Sequence, residues 1–177
     1  MENQLILVKE KDEIVGVGEK LETHREGLLH RAFSIFIFNS HGELLLQRRA
    51  PGKYHSGGLW SNTCCGHPRP SGQIIVDAQL RLKVEMGVDC QLDELGSFIY
   101  RADVGNGLVE HEFDHLLIGH SELAPNPNPE EAIGWRRVPL TTLRREIRDR
   151  PEDFTCWLKI IVDTQLHKFP AALGWRT

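Results

Sequence analysis

Apolar residues fall along the chain in short blocks separated by polar turns, and the spacing within each block predicts an element. The runs LILV (5–8) and IVGV (14–17) flank the charged turn KEKDE, the pattern of an opening hairpin. The following stretch, GEKLETHREGLLH, carries polar and basic groups, and its local structure stays open. From 32 to 38 the sequence AFSIFIF is β-branched and aromatic; NSHG then supplies a turn and ELLLQRR a second strand, so another hairpin is expected. Between 50 and 72 lie five glycines, three prolines and two cysteines, a segment too long and irregular to be a mere connection.

Downstream the period changes. Ile75, Ala78, Leu82 and Met86 recur at helical spacing over 73–86, with Gly87 as a C-terminal stop. SFIYRADV and LVEHEFDHLLIGH read as strands around a GNG turn, PNPNPEE as a polar loop and AIGWRRV as a further strand. The segments PLTTLRREIRD and PEDFTCWLKIIVDTQLHKF predict two helices broken by Pro151, with Phe154, Trp157, Leu158 and Ile161 along one face of the second. No repeat, low-complexity tract or linker divides the chain. The expectation is a single α+β domain over 1–177, a mixed β-sheet core with flanking helices.

Composition narrows the function. A chain of 177 residues with 26% charged and 40% hydrophobic positions can bury a core, which excludes a disordered or fibrous protein. A net charge of -4 argues against a nucleic-acid partner and leaves room only for a local anion site. The four cysteines are too irregular for a disulfide scaffold and read as reduced thiols. No apolar run approaches the roughly 18 residues that would span a bilayer, and MENQLILVKEKDE lacks the basic start and apolar stretch of a leader. A cytoplasmic protein without membrane insertion is therefore expected.

Candidate chemistry gathers at four places. On the strand LVEHEFDHLLIGH, alternation sends Glu110 and Glu112 to one face and His111 to the other. A cation between the carboxylates relieves their repulsion; a solvent-facing strand is the alternative. His24, His30 and His67 sit at the edges of irregular segments, and with the two glutamates would make an N3O2 set that leaves one octahedral position for water or substrate. Each histidine taken singly reads as an ordinary surface or core residue. In TCCGHP a cysteine beside glycine and histidine suits a ligand, a nucleophile or an acid and base, or is an inert buried thiol; no second Cys-x-x-Cys pair exists for a zinc ribbon. Arg48 and Arg49 close a strand with Lys53 just beyond, and alternation lets at most one of the arginines share a strand-borne pocket. Guanidinium forks match phosphate oxygens. Glu85 in the last turn of its helix opposes the dipole, so either Arg81 four residues earlier or a bound cation compensates it.

Taken in order, the motifs EKLETH, LHRAFSIFIFN, LLLQRRAPGKYHSGGLWSNTCCGHP, YRADVGNGLVEHE and DFTCW resemble type I isopentenyl-diphosphate isomerase, a relative of the Nudix hydrolases, over nearly the whole chain. The resemblance implies a Nudix-like fold and a metal shell of His24, His30, His67, Glu110 and Glu112 holding one Mn2+, Mg2+ or Zn2+. It implies Cys65, rather than Cys64, as one proton-transferring group and Glu112 assisted by Tyr100 as the other. Lys20, Arg49, Lys53 and Arg81 would bind the diphosphate of a small prenyl substrate, Glu85 would hold a Mg2+ against it, and Trp157 would lie near the hydrocarbon. The resemblance leaves the choice between monomer and homodimer open.

One departure bears on the chemistry. A Nudix box starting at Gly66 would place acids at 72, 81, 84 and 85 and arginine at 80, whereas the chain has Gly72, Leu80, Arg81, Val84 and Glu85. Diphosphate hydrolysis needs that carboxylate cluster to hold metals and activate water. A diphosphohydrolase is thereby disfavoured, and a noncatalytic metal or prenyl-phosphate binding domain is the remaining rival.

Overall fold

The computed structural model describes residues 3–169. Strands β1 (Gln4–Val8) and β2 (Ile14–Glu19) form the expected opening hairpin. The stretch left open in the sequence holds a short helix, α1 (Lys20–Glu26): the Glu19 side chain accepts from the Glu22 amide at 2.9 Å, and Gly27 ends it in the left-handed region. β3 (His30–Phe38) and β4 (Glu43–Arg49) follow, and here the expected hairpin is cut short, since only Phe38 and Leu44 are in register. The strands then diverge. Thr63 occupies the gap, accepting from the Ile37 amide at 3.0 Å and donating to the Leu45 carbonyl at 2.6 Å.

The segment 50–72 is more regular than expected, because it contains two short strands, β5 (Trp60–Ser61) and β6 (Cys64–Gly66), laid antiparallel on β4 and β3. Helix α2 (Ile74–Met86) lies where the periodicity puts it, but its buried face differs: Ile75 is 37% exposed while Asp77 is buried, held by the amide and guanidinium of Arg69. That ion pair outweighs the apolar preference of one exposed turn. β7 (Leu92–Gly105) and β8 (Leu108–His120) form a long hairpin whose turn residues Asn106 and Gly107 both have positive φ. β9 (Ala132–Pro139) pairs with β4, and α3 (Leu140–Asp149) and α4 (Cys156–Thr164) follow. The second C-terminal helix therefore starts at Cys156. Phe154 is extended and bridges Trp60, so it lies off the helix on which the periodicity placed it.

The sheet is buried on both faces, which explains why its central strands read as near-continuous apolar runs. In β3, Phe36 and Phe38 face α4 together with Leu44, Leu46, Leu116 and Ile118, packed on Trp157, Leu158 and Ile161. Phe33, Ile35 and Ile37, with Leu45 and Leu117, face Ala78, Leu82 and Met86 of α2. Among the described residues no helix is long and apolar enough to cross a membrane.

Gly87 ends α2 at φ 66°, and a Cβ built there would come within 2.7 Å of the Asn126 carbonyl. The loop is laced to this helix end by the Asn126 and Asn128 amides, which donate to Met86 and Glu85 carbonyls. Gly87→Ala is expected to cost about 1–3 kcal/mol, read as a lower urea midpoint; an unchanged midpoint would contradict the steric account.

Candidate active site

Parity in the strands decides which side chains meet. Register pairs His30 on β3 with Glu112 on β8, and Glu112 with Tyr100 on β7, so the three stand in one row across the sheet. Ser34 pairs with Cys65 two pleat repeats, four residues, further along β3. Glu110 and Glu112 share a face as alternation requires and are both buried, while His111 points the other way and meets the Gly27 carbonyl. The same rule separates the adjacent cysteines: Cys64 enters the core under α2, and Cys65 reaches a cavity of about 550 Å3 between the sheet, α2 and α4. Tyr100, Glu112 and Trp157 line that cavity as well.

At one end of the cavity the imidazoles converge. α1 projects Lys20 and His24 from successive turns, and His24 Nδ1 meets the Lys20 carbonyl at 2.6 Å. His30 Nδ1 meets the Leu28 carbonyl at 2.9 Å. Each ring thus spends one nitrogen on the backbone and turns Nε2 inward, and both Nε2 atoms are buried without a hydrogen bond, as is Glu110 Oε2. His24, His30, His67 and Glu110 offer ligand atoms all within 4.8 Å of one another. Glu112 adjoins them, its Oε1 3.2 Å from His67 Nε2 and 3.6 Å from His30 Nε2. Buried donor atoms left bare at the centre of a His/Glu group fit a divalent cation, with the backbone carbonyls fixing the imidazole tautomers.

The electrostatics follow from burial and charge. Burial, with the charges of His30 and Lys20, pushes His67 well below the usual imidazole range, so it is neutral. Burial opposes ionisation of Glu112, but the His30 imidazole 3.6 Å away and the hydrogen bond from Tyr100 override it and hold the carboxyl at about 2. Tyr100 donates to Glu112 Oε2 at 2.7 Å. In the same cavity, burial and the nearby Asp114 raise the Cys65 thiol, and its Sγ lies 3.1 Å from Asn62 Oδ1 and 3.6 Å from Ser34 Oγ. Asp114 is itself pushed up by burial and by Glu112, and it accepts from Ser34 at 2.8 Å.

Cations line the cavity as well. Alternation resolves the arginine pair: Arg49 is buried with its guanidinium 5.1 Å from the Trp157 ring, while Arg48 is exposed and donates to the Gly58 carbonyl. Lys20, Lys53 and Arg81 line the same cavity. Gln47 Nε2 donates to Glu85 Oε1 at 2.7 Å, which offsets the unfavourable position of that carboxylate at the end of α2, and Arg81 lies 2.7 Å from its other oxygen. Every sequence-predicted site residue thus lines this cavity except His24 and His30, which are fully buried and meet His67 and Glu110 beside it.

Three partners were missed. Asn62 is fully buried, anchors its amide on the Ile35 and Cys64 carbonyls, and offers Oδ1 to both Cys65 and Trp157 Nε1. Glu131 bonds Lys53 and, at 2.8 Å, Arg81, so a carboxylate rests among the cations. His55 reaches Glu110 Oε1 at 2.9 Å. Of these, only Asn62 had a sequence signal, its place beside TCCGHP.

Residues 28–158 match the NUDIX domain family. Over 163 residues the chain is 54% identical to Isopentenyl-diphosphate Delta-isomerase 2 of Aromatoleum aromaticum, covering 92% of this chain and 86% of that protein. The chain belongs to the isopentenyl-diphosphate Delta-isomerase family. Isopentenyl-diphosphate Delta-isomerase of Burkholderia multivorans is a further relative, 48% identical with 92% of this chain and 93% of that one covered. Among solved structures, DR0079 from Deinococcus radiodurans aligns at a TM-score of 0.73 and 21% identity, covering 90% of this chain and 97% of the other. MutT protein from Methanosarcina mazei Go1 aligns at 0.63 and 16% identity, covering 76% and 91%. Those two likenesses are of fold alone.

Within this isomerase family member, the Nudix scaffold carries an emptied hydrolytic box. At Gly72, where a hydrolase would have an acid, the Asp77 carboxylate occupies the space and would have to move to admit a side chain, and of the box acids only Glu85 remains.

Proposed function

We propose that the protein interconverts isopentenyl diphosphate and dimethylallyl diphosphate by a 1,3-allylic proton shift. The observation that supports this reading is that Cys65 lines the same cavity as the hydrogen-bonded Glu112–Tyr100 pair. An unactivated alkene is a very weak base, and protonating it builds a tertiary carbocation that water would quench, so the acids must stand in a closed, largely apolar space.

Lys20, Arg49, Lys53 and Arg81 bind the diphosphate, whose oxygens take over the contacts that Glu131 makes with Lys53 and Arg81. Anchoring there sets the five-carbon skeleton between Cys65 and Glu112, and such positioning supplies several kcal/mol. One side donates a proton to the terminal carbon and the other removes one from C2. Trp157, held by Nε1 donation to Ser61 and Asn62, turns its ring toward the developing cation, worth roughly 2 kcal/mol when desolvated. His24, His30, His67, Glu110 and Glu112 would hold one Mn2+, Mg2+ or Zn2+ and Glu85 a Mg2+, which supply fixed positive charge beside the Glu112 carboxylate and the diphosphate.

Incubation of the protein with isopentenyl diphosphate in deuterated water, followed by NMR, tests the reading. Deuterium is expected in dimethylallyl diphosphate, and a chelator is expected to suppress it. Release of inorganic phosphate without isomerised product would instead restore the hydrolase.

A further inference from the structure

Four histidines surround Glu110 and Glu112, and their hydrogen bonds divide them. His24 and His30 use Nδ1 on backbone carbonyls and present bare Nε2 atoms to the centre. His55 is wired in the opposite sense. It is 5% exposed, its Nδ1 lies 3.2 Å from the Ser56 hydroxyl, and its Nε2 lies 2.9 Å from Glu110 Oε1. One neutral tautomer satisfies both contacts, with Ser56 donating to Nδ1 and Nε2–H donating to the carboxylate. The remaining oxygen, Glu110 Oε2, is the buried one without a hydrogen bond, 3.6 Å from His24 Nε2.

We infer that His55 is a positioning residue: by occupying Oε1 it fixes the rotation of the Glu110 carboxylate so that Oε2 alone faces the imidazole group. The inference rests on the metal site proposed above and deepens it. The ring is itself held, edge-on to Trp157 at 5.7 Å and an interplanar angle of 87°, and packed at 4.3 Å against Tyr54. Its link to the diphosphate end is a main-chain one, since the His55 carbonyl accepts from Arg49 at 3.3 Å, so side-chain replacement leaves that contact in place. A donor on a ligating carboxylate sharpens its geometry for the ion, and loss of such an outer contact weakens metal affinity while leaving the ligand count unchanged.

Chelator-stripped wild type, His55→Phe and His55→Gln are titrated with Co2+, reading affinity by calorimetry and the coordination sphere by visible absorption. Phenylalanine keeps the ring against Trp157 and lacks the donor; glutamine keeps an N–H at the reach of Nε2. The expected result is about tenfold weaker Co2+ binding by His55→Phe, with affinity close to wild type in His55→Gln and one absorption spectrum shared by all three loaded proteins. Wild-type affinity in His55→Phe would overturn the inference. So would an altered spectrum in His55→Gln, which would make His55 a ligand in its own right. Failure of wild type to bind Co2+ would overturn the underlying metal site instead, and thermal melts of the stripped variants separate misfolding from either outcome.

Discussion

Cys65→Ala is expected to lower isomerisation roughly 10³-fold or more, the upper part of the range for removing one positioned acid or base. The argument starts from protons rather than from the thiol's nucleophilicity. Burial and the neighbouring Asp114 raise the thiol, while His30 and Tyr100 hold Glu112 ionised. The two groups therefore begin with one proton and one vacancy between them, which is what a shift across a double bond requires: one end gains a proton as the other loses one. Alanine removes one half of that exchange in both directions. Deuterium uptake into recovered substrate should fall together with turnover, because the ionised Glu112 left behind has no proton to give. Cys65→Ser should rescue little, since an alkyl hydroxyl is too weak an acid to replace a thiol. The Asn62 and Ser34 contacts to Sγ are single hydrogen bonds, and both residues keep other partners, so the variant should melt within a few degrees of wild type. Turnover resembling wild type in Cys65→Ala would remove the thiol from the reaction.

How much of this was legible in the sequence depended on the range of the forces involved. Alternation in β8 was enough to put Glu110 and Glu112 on one face, and alternation at β4 was enough to say that only one of Arg48 and Arg49 shares the pocket, because side-chain direction in a strand is local. Which arginine it is depended on the pairing of β4 with β5 and β9, which no local pattern contains. The β3–β4 ladder was overread for a related reason: strands buried on both faces lose the alternation that reports register, and Thr63, inserted between them, comes from a distant loop. Helix α1 is seven residues with a glutamate as its N-cap, too short and too polar to show a period, yet it carries His24 and Lys20. Phe154 fitted a helical spacing but is drawn into a bridge with Trp60. His55 and Glu131 lay in segments whose composition signals only a loop, and they gained meaning once β4, β8 and β9 brought them against Glu110 and Lys53.

His67→Ala is expected to abolish tight binding of the divalent ion, and its signature is thermodynamic as well as catalytic. An ion that binds only the folded chain stabilises it by about 4 kcal/mol when supplied at a thousandfold excess over Kd. For a domain of this size each kcal/mol moves Tm by about 2–4 °C, so wild type should gain on the order of 10 °C between chelator and saturating metal. His67→Ala should show little of that gain. In chelator the variant should lose only the hydrogen bond between His67 and Glu112 and the packing of that ring, so the gap between the two proteins should be much smaller there than in saturating metal. That difference separates a ligand from a structural residue. A histidine that merely packed would cost the same with and without metal, whereas a ligand costs far more when the ion is present. Elemental analysis after dialysis should agree, with one tightly held divalent ion per wild-type chain and none in the variant. Equal metal content in the two proteins, or an equal response of both melting curves to the ion, would dismiss His67 from the shell and reopen the noncatalytic explanation of the His/Glu group.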